Sequence, residues 1–170
     1  LTLLYGAIAA GRVTNSDAGS MLEVARSLLR GTVEIPAEGR YVLSWDGRPV
    51  CFFGIWTSVY WIPFVVCGRV FGVLFPGQPV DQWEEFFVSF SMIPPMLGVL
   101  WYLVRSWQRA GIPAASSRRG LWFAALATPL LPYAKILGSD LWMALGLLGA
   151  MYHLQSDRGT RDWVAGGLWL

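Results

Sequence analysis

The charged residues that could do chemistry lie at the ends of apolar segments. Asp17 is the first acid, and it follows ten almost wholly apolar residues, Leu1 to Ala10. A carboxylate in such a place could act as a general base. It could equally cap the helix that follows, because Thr14, Asn15, Ser16 and Asp17 are all residues that favour helix starts. The pattern leaves both readings open.

Five further polar residues come near predicted turns or segment ends. Arg40 and Tyr41 open a strand-like stretch, and Arg48 stands before Pro49 after the turn residues Asp46-Gly47. A guanidinium suits phosphate geometry, although turn arginines are often merely solvated. Lys135 and Asp140 flank a second turn, where a lysine can snorkel and an aspartate can cap the next helix.

The composition is typical of an integral membrane protein. Of the 170 residues, 55% are hydrophobic and only 14% are charged, whereas soluble domains carry about a quarter charged residues. Ten tryptophans agree with this class, since tryptophan is enriched at bilayer edges. The net charge of +2 argues against nucleic-acid binding. Cys51 and Cys67 form neither a disulfide framework nor a metal pattern, and no phosphate-binding glycine loop is present.

Two kinds of element are predicted between Gly11 and Phe53. Ser20 and Glu23 fit a capping box for a short amphipathic helix that ends at Gly31, with Asp17 at or just before its start. Three strand-like pieces follow at 32–35, 40–45 and 50–53, and the last two flank the Asp-Gly turn.

Apolar runs predict the membrane segments. Spans are predicted over 86–104, with a kink at Pro94-Pro95, and over 121–137 and 141–154, while 1–10 and 163–170 read as truncated spans. The segment 52–75 contains Arg69 and Pro63, so it could either span or lie flat in the interface. We therefore predict an all-α, polytopic helical bundle with a small helix-plus-hairpin subdomain.

Arginine distribution gives the orientation. The stretch 105–120 carries four arginines and no acid, which predicts a cytoplasmic location by the positive-inside rule. If 52–75 lies flat, residues 11–85 form one external region that contains Asp17; if it spans, Asp17 is cytoplasmic.

Three stretches in this order resemble one family. They are the acid and helix "SDAGSMLEVARSLLRG", the hairpin end "GRPV" and the paired segments "TPLLPYAKILGSDLWMALGLLGAMYHL". Together they resemble bacterial GT-C glycosyltransferases of the protein-mannosyltransferase-like superfamily, which includes lipid A aminoarabinose transferases. The resemblance covers about Gly11 to Leu154 and favours the flat reading of 52–75.

The resemblance implies an inverting transfer of a sugar from a polyprenyl-phosphate donor to a lipid, glycan or protein acceptor of the cell envelope. It implies Asp17 as the base and Arg48 as a contact of the leaving phosphate. Lys135 would share that contact, and Asp140 would orient a substrate or bind a divalent cation with Asp17. Arg40 and Tyr41 are weaker substrate-binding candidates. The site would lie on the extracytoplasmic side of the bacterial inner membrane.

A transporter or a non-catalytic membrane scaffold is the rival expectation. A transporter should carry polar groups or broken helices near the bilayer midplane. The prolines at 94, 95, 129 and 132 are the features of this sequence that point that way.

Overall fold

The chain is mostly helical, so the predicted all-α class is confirmed. The computed structural model describes residues 2–9, 11–13, 16–35, 41–43, 47–51, 55–127, 137, 140–155 and 164. The elements of the described residues are α1 (Thr2–Ile8), α2 (Ser16–Leu28), β1 (Tyr41–Leu43), β2 (Pro49–Cys51), α3 (Ile55–Leu74), α4 (Val80–Ser89), α5 (Ile93–Arg109), α6 (Ala114–Ala127) and α7 (Asp140–Leu154). They fall into two compact units, one with α2 to α4 and the hairpin, the other with most of α1 and α5 to α7.

The helix α2 is amphipathic and starts earlier than the capping box predicts. It begins at Ser16, so Ser20 already lies inside the helix and is buried, and the prediction that Ser20 caps it is wrong. Its inward face carries Ala18, Met21, Leu22 and Ala25, each at most 2% exposed. The predicted stop at Gly31 is confirmed by a positive φ of 79° and by its N–H, which donates to the carbonyl of Leu28 at 3.0 Å.

The predicted hairpin is present. Strand β1 pairs antiparallel with β2, with Val42 opposite Val50. Gly47 has a φ of 79°, as a tight turn of this kind requires, and Glu34 adds an isolated bridge to Val50.

Helices α3 and α4 form a close antiparallel pair. A Cβ at Gly68 would lie 2.5 Å from the Cα of Glu84, and one at Gly72 would lie 2.9 Å from a side-chain methyl of Val80. The phenolic O–H of Tyr60 donates to the carbonyl of Ser91 at 2.8 Å further along the same pair. Two glycines four residues apart therefore let the two backbones touch, as in small-residue helix contacts generally.

The helix predicted to start at Phe86 begins at Val80 instead, so the acidic stretch before it is not a loop. A turn at 90–92 then separates α4 from α5. Pro94 and Pro95 occupy the first turn of α5, where the missing N–H groups cost nothing, so the prolines begin a helix instead of kinking one.

The second unit holds α5 to α7 with most of α1. Helix α6 starts at Ala114, seven residues before the predicted start at Leu121, and α7 spans Asp140–Leu154 almost as predicted. The O–H of Tyr5 in α1 donates to the carbonyl of Ala125 in α6 at 3.0 Å. Of the predicted terminal spans, α1 accounts for most of 1–10, and 163–170 lies outside the described residues apart from Val164.

Two helical stretches of the described chain are long and apolar enough to cross a membrane, judged by length and composition. They are Ile55–Leu74 and Val80–Arg109. Whether the first crosses or lies flat stays a prediction.

Candidate functional site

Asp17 lies in the first turn of α2 and is half-buried. The positive end of the helix dipole favours a negative charge there. The neighbouring Ala18 is fully buried and fixes this turn against the rest of the unit. Asp17 is thus partly exposed to solvent, on a backbone that is held by the packing of the next residue.

A small open cleft is lined in part by Gly11 and Arg12, in the segment that precedes Asp17 in the sequence. Its volume is about 180 Å³. The residues that line it are Gly11, Arg12, Gln78, Gln82, Trp83 and Phe86. Sites that enclose a drug-sized ligand measure roughly 300–1,000 Å³, so this cleft has room for a small polar group.

One hydrogen bond joins the two segments that contribute residues to the cleft. The N–H of Val13 donates to a carboxylate oxygen of Glu85 at 3.3 Å, which fastens the chain before α2 to α4. Gly11 turns the chain with a φ of 66° and faces the ring of Phe86. Arg12, the one cation among the lining residues, and Trp83 line the same cleft. Arg12 lies five residues before Asp17 in the sequence.

Arg48 is placed with Glu34. Its guanidinium donates to the Glu34 carboxylate at 2.7 Å, and both side chains are largely exposed. The carbonyl of Glu34 accepts a hydrogen bond from the Ser27 hydroxyl at 2.5 Å. Ser27 lies ten residues after Asp17, which corresponds to about 15 Å of helical rise. The hairpin therefore docks at the opposite end of α2 from Asp17.

The structure describes only some of the remaining predicted site residues. Arg40 and Lys135 lie outside the described residues, and Tyr41 is described as a backbone position in β1 opposite Cys51. Asp140 is the exposed first residue of α7, in the other unit from Asp17. Among the residues that the structure describes, no group of His, Cys, Asp or Glu is arranged to hold a metal ion.

Sequence reasoning missed a buried ion cluster. Glu84 of α4 is only 4% exposed, and each of its carboxylate oxygens accepts from a different guanidinium. Arg26 of α2 donates at 2.5 Å and Arg69 of α3 at 2.8 Å, and Arg26 also pairs with Glu23. One carboxylate thus joins three helices.

The charge state of this cluster follows from its contacts. Burial alone would lower the pKa of Arg26, but the hydrogen bonds and negative charges of Glu23 and Glu84 together outweigh it, so the pKa lies above its ordinary value. The guanidinium is therefore permanently charged, and the cluster acts as a fixed clamp on α2.

One signal in the sequence could have revealed the cluster. Arg69 is the lone charge in an apolar segment, and a charge there calls for a partner. Gly68 and Gly72 predict a close helix neighbour on the same segment, and the next helix supplies Glu84.

No protein-family model matches this chain, and no curated protein and no solved structure matches it either.

Proposed function

We propose that this chain is part of a membrane glycosyltransferase that uses a polyprenyl-phosphate sugar, with Asp17 as the general base. The observation that carries the proposal is the half-buried carboxylate of Asp17 in the first turn of α2, five residues after Arg12, which lines the cleft. The resemblance of the sequence to GT-C enzymes supports the same assignment. The two apolar helical stretches fit a donor whose prenyl chain stays in lipid.

The transfer would be a single displacement. The Asp17 carboxylate takes the proton of an acceptor hydroxyl while that oxygen attacks the anomeric carbon of the sugar. The bond between the anomeric carbon and the phosphate oxygen breaks, and the phosphate leaves with the electron pair. The new glycosidic bond forms on the opposite face, so the configuration inverts.

Arg12 is the cation best placed to receive the leaving phosphate. It lines the cleft, whereas Arg48 is paired with Glu34 at the far end of α2. A guanidinium donates in a planar fork that matches phosphate oxygens, and it would stabilise the negative charge that develops on them. The two glutamines of the cleft, Gln78 and Gln82, offer donors and acceptors to sugar hydroxyls.

In this proposal the cleft faces the extracytoplasmic side of a bacterial inner membrane. The arginines of 105–119 would lie on the cytoplasmic side, as the positive-inside rule favours. Arg69 is held by Glu84 at 2.8 Å, so the charge in α3 is compensated whether this helix crosses the bilayer or lies in its interface.

The test compares Asp17→Asn with Asp81→Asn in the full-length protein. Asp81 is a matched control, because it is an exposed acid in the first turn of another helix. Reconstituted vesicles receive radiolabelled polyprenyl-phosphate hexoses and pentoses together with extracted envelope lipids and glycans. We expect Asp17→Asn to lower transfer by at least about 100-fold, the usual contribution of a general base, and Asp81→Asn to leave it unchanged.

Two results would overturn the proposal. Transfer that survives Asp17→Asn in a folded protein would remove Asp17 as the base. Wild-type protein that moves label across the vesicle membrane without forming a new glycoside would identify a transporter instead.

A further inference from the structure

A basic groove lies on helix α6, in the unit that does not contain Asp17. It is about 320 Å³ in volume and is lined by Ala115, Arg118, Arg119 and Trp122. Their spacing of three, four and seven residues from Ala115 places all four on one face of the helix. Two arginines and one tryptophan therefore line the same groove.

These two arginines differ from the other two in the same part of the chain. The guanidinium of Arg109 stacks on the ring of Tyr152 at 3.4 Å and donates to the Tyr152 carbonyl, and Arg105 lies 5.4 Å from the ring of Trp101. Within the described part of the chain, Arg118 and Arg119 make no ion pair or side-chain hydrogen bond. Their donors are thus open to a ligand.

The groove is held in shape by the connection between α5 and α6. Gly111 takes a φ of 79° after α5, and the N–H of Ile112 donates to the carbonyl of Trp107 at 3.0 Å. Gly120 packs so closely on Trp107 that a Cβ there would lie 2.9 Å from the indole. A ligand would meet two arginines on a preformed surface, which lowers the entropy cost of binding.

An apolar exposed surface continues along α6 from the arginines. Trp122 is 48% exposed, Phe123 is 68% exposed and Leu126 is 43% exposed. Tryptophan next to arginine, followed by bare aromatic and aliphatic side chains, is the arrangement found where a helix enters the headgroup layer of a bilayer.

The charge of the surrounding chain selects an anion. No aspartate or glutamate occurs between Glu85 and Asp140, while that interval contains four arginines and one lysine. No acid of this interval competes with a ligand for the two open guanidiniums.

We propose that this groove binds the phosphate headgroup of an anionic phospholipid. Arg118 and Arg119 hold the phosphate oxygens, and the acyl chains lie along Trp122, Phe123 and Leu126. The site goes beyond the proposed transferase activity and does not depend on it, because no residue of the Asp17 cleft takes part.

The test measures lipid selectivity with the full-length protein. Protein purified in a neutral detergent is titrated with phosphatidylglycerol or phosphatidylcholine, and each bound lipid is counted by native mass spectrometry. A basic residue near an anionic lipid contributes about fivefold in binding, so we expect the Arg118→Gln/Arg119→Gln variant to lose about 25-fold in selectivity for phosphatidylglycerol.

The matched control is the Arg105→Gln/Arg109→Gln variant. It removes the same charge from the same part of the chain, but the two arginines it removes are already engaged by aromatic rings. We expect its selectivity to change by less than about twofold, since the groove keeps both of its arginines. The melting midpoint of each variant, measured without added lipid, shows whether it is folded.

A third variant covers the case in which the glutamine variant does not fold. Arg118→Lys/Arg119→Lys keeps the charge and should retain most of the selectivity, with a smaller loss because lysine lacks the planar fork.

Three outcomes would overturn the proposal. One is an equal loss in the two glutamine variants, which would indicate diffuse charge attraction. The second is unchanged selectivity for phosphatidylglycerol in a folded Arg118→Gln/Arg119→Gln variant or, where that variant does not fold, a loss of about 25-fold in a folded Arg118→Lys/Arg119→Lys variant. The third is displacement of the bound lipid by millimolar inorganic phosphate, which would identify a free-anion site.

Discussion

The Glu84 cluster permits a sharp prediction, because the same chain contains a matched exposed pair. Glu84 pairs with Arg26 and Arg69 and has a side chain that is 5% exposed, whereas Glu34 pairs with Arg48 and has a side chain that is 45% exposed. The perturbation is the same in both places, glutamate to glutamine. It removes the charge and keeps the shape and one carbonyl oxygen.

The expected cost follows from the burial of each partner. Removing one member of a fully buried pair costs about 3–5 kcal/mol. The side chain of Arg69 is 40% exposed, so solvent screens its share, and Arg26 keeps Glu23 as a partner. We therefore expect Glu84→Gln to lower the free energy of unfolding by about 2–3 kcal/mol, against about 0.2–0.5 kcal/mol for Glu34→Gln.

The assay is thermal unfolding in detergent, followed by tryptophan fluorescence at one scan rate. For a chain of this size each kcal/mol shifts the midpoint by about 2–4 °C, which gives a drop of about 5–10 °C for Glu84→Gln and at most about 2 °C for Glu34→Gln. Added salt should abolish the smaller effect and leave most of the larger one, since buried charges are screened little. Equal midpoints for the two variants would refute the idea that Glu84 is a buried link between helices.

Two further predictions concern the same unit. Gly68→Ala should destabilise the protein by about 1–2 kcal/mol, because the new Cβ would lie 2.5 Å from the Cα of Glu84. Gly19→Ala should stabilise it by about 0.5–1 kcal/mol, because a Cβ at this helical position would meet no atom within 4 Å. Melting midpoints that move in the same direction for both variants would contradict the close α3–α4 contact. Because the pKa of Arg26 is raised in the folded protein, its ion pairs contribute fully to the free energy of unfolding at any pH below the ordinary pKa of a guanidinium. That contribution is lost only as the pH rises through the raised pKa. The midpoint difference between Glu84→Gln and wild type should therefore not fall as the pH rises from about 6 to about 9, and a steady fall over that range would show that the cluster titrates.

The local elements could be predicted from the sequence because their signals are local. The apolar face of α2, its stop at Gly31 and the hairpin at Gly47 each follow from residues within a few positions of one another. The start of α4 was missed for the opposite reason. Its acids Asp81, Glu84 and Glu85 fit the predicted external region, and the Arg26 and Arg69 side chains, distant in sequence, make it favourable for Glu84 to be buried.

In the candidate site, too, the features set by neighbouring residues could be predicted, and those set by distant contacts could not. Asp17 was placed correctly at the start of a helix, because helix-start signals are strong and short in range. The pairing of Arg48 with Glu34 and the cleft at Arg12 depend on how the hairpin and α4 pack on α2, which no local pattern encodes. Arg12 carried no motif, so it was not among the predicted site residues.

The two neighbouring carboxylates of α4 explain how a helix start could serve as a site. Glu85 holds the backbone of Val13 ahead of Asp17, and Glu84 holds Arg26 beyond it, so α2 is fastened to α4 on both sides of the aspartate. In the proposed function, Glu84 and Glu85 hold α2 in position and Asp17 takes part in the reaction. A variant of Glu84 should lose stability together with any activity, because it releases the helix. A variant of Asp17 should lose activity while the melting midpoint falls by only about 1–4 °C, since the helix dipole contributes about 0.3–1 kcal/mol there. An activity loss at Asp17 with a fall in midpoint as large as that of Glu84→Gln would make the aspartate one more anchor of α2, and the base would have to be sought elsewhere.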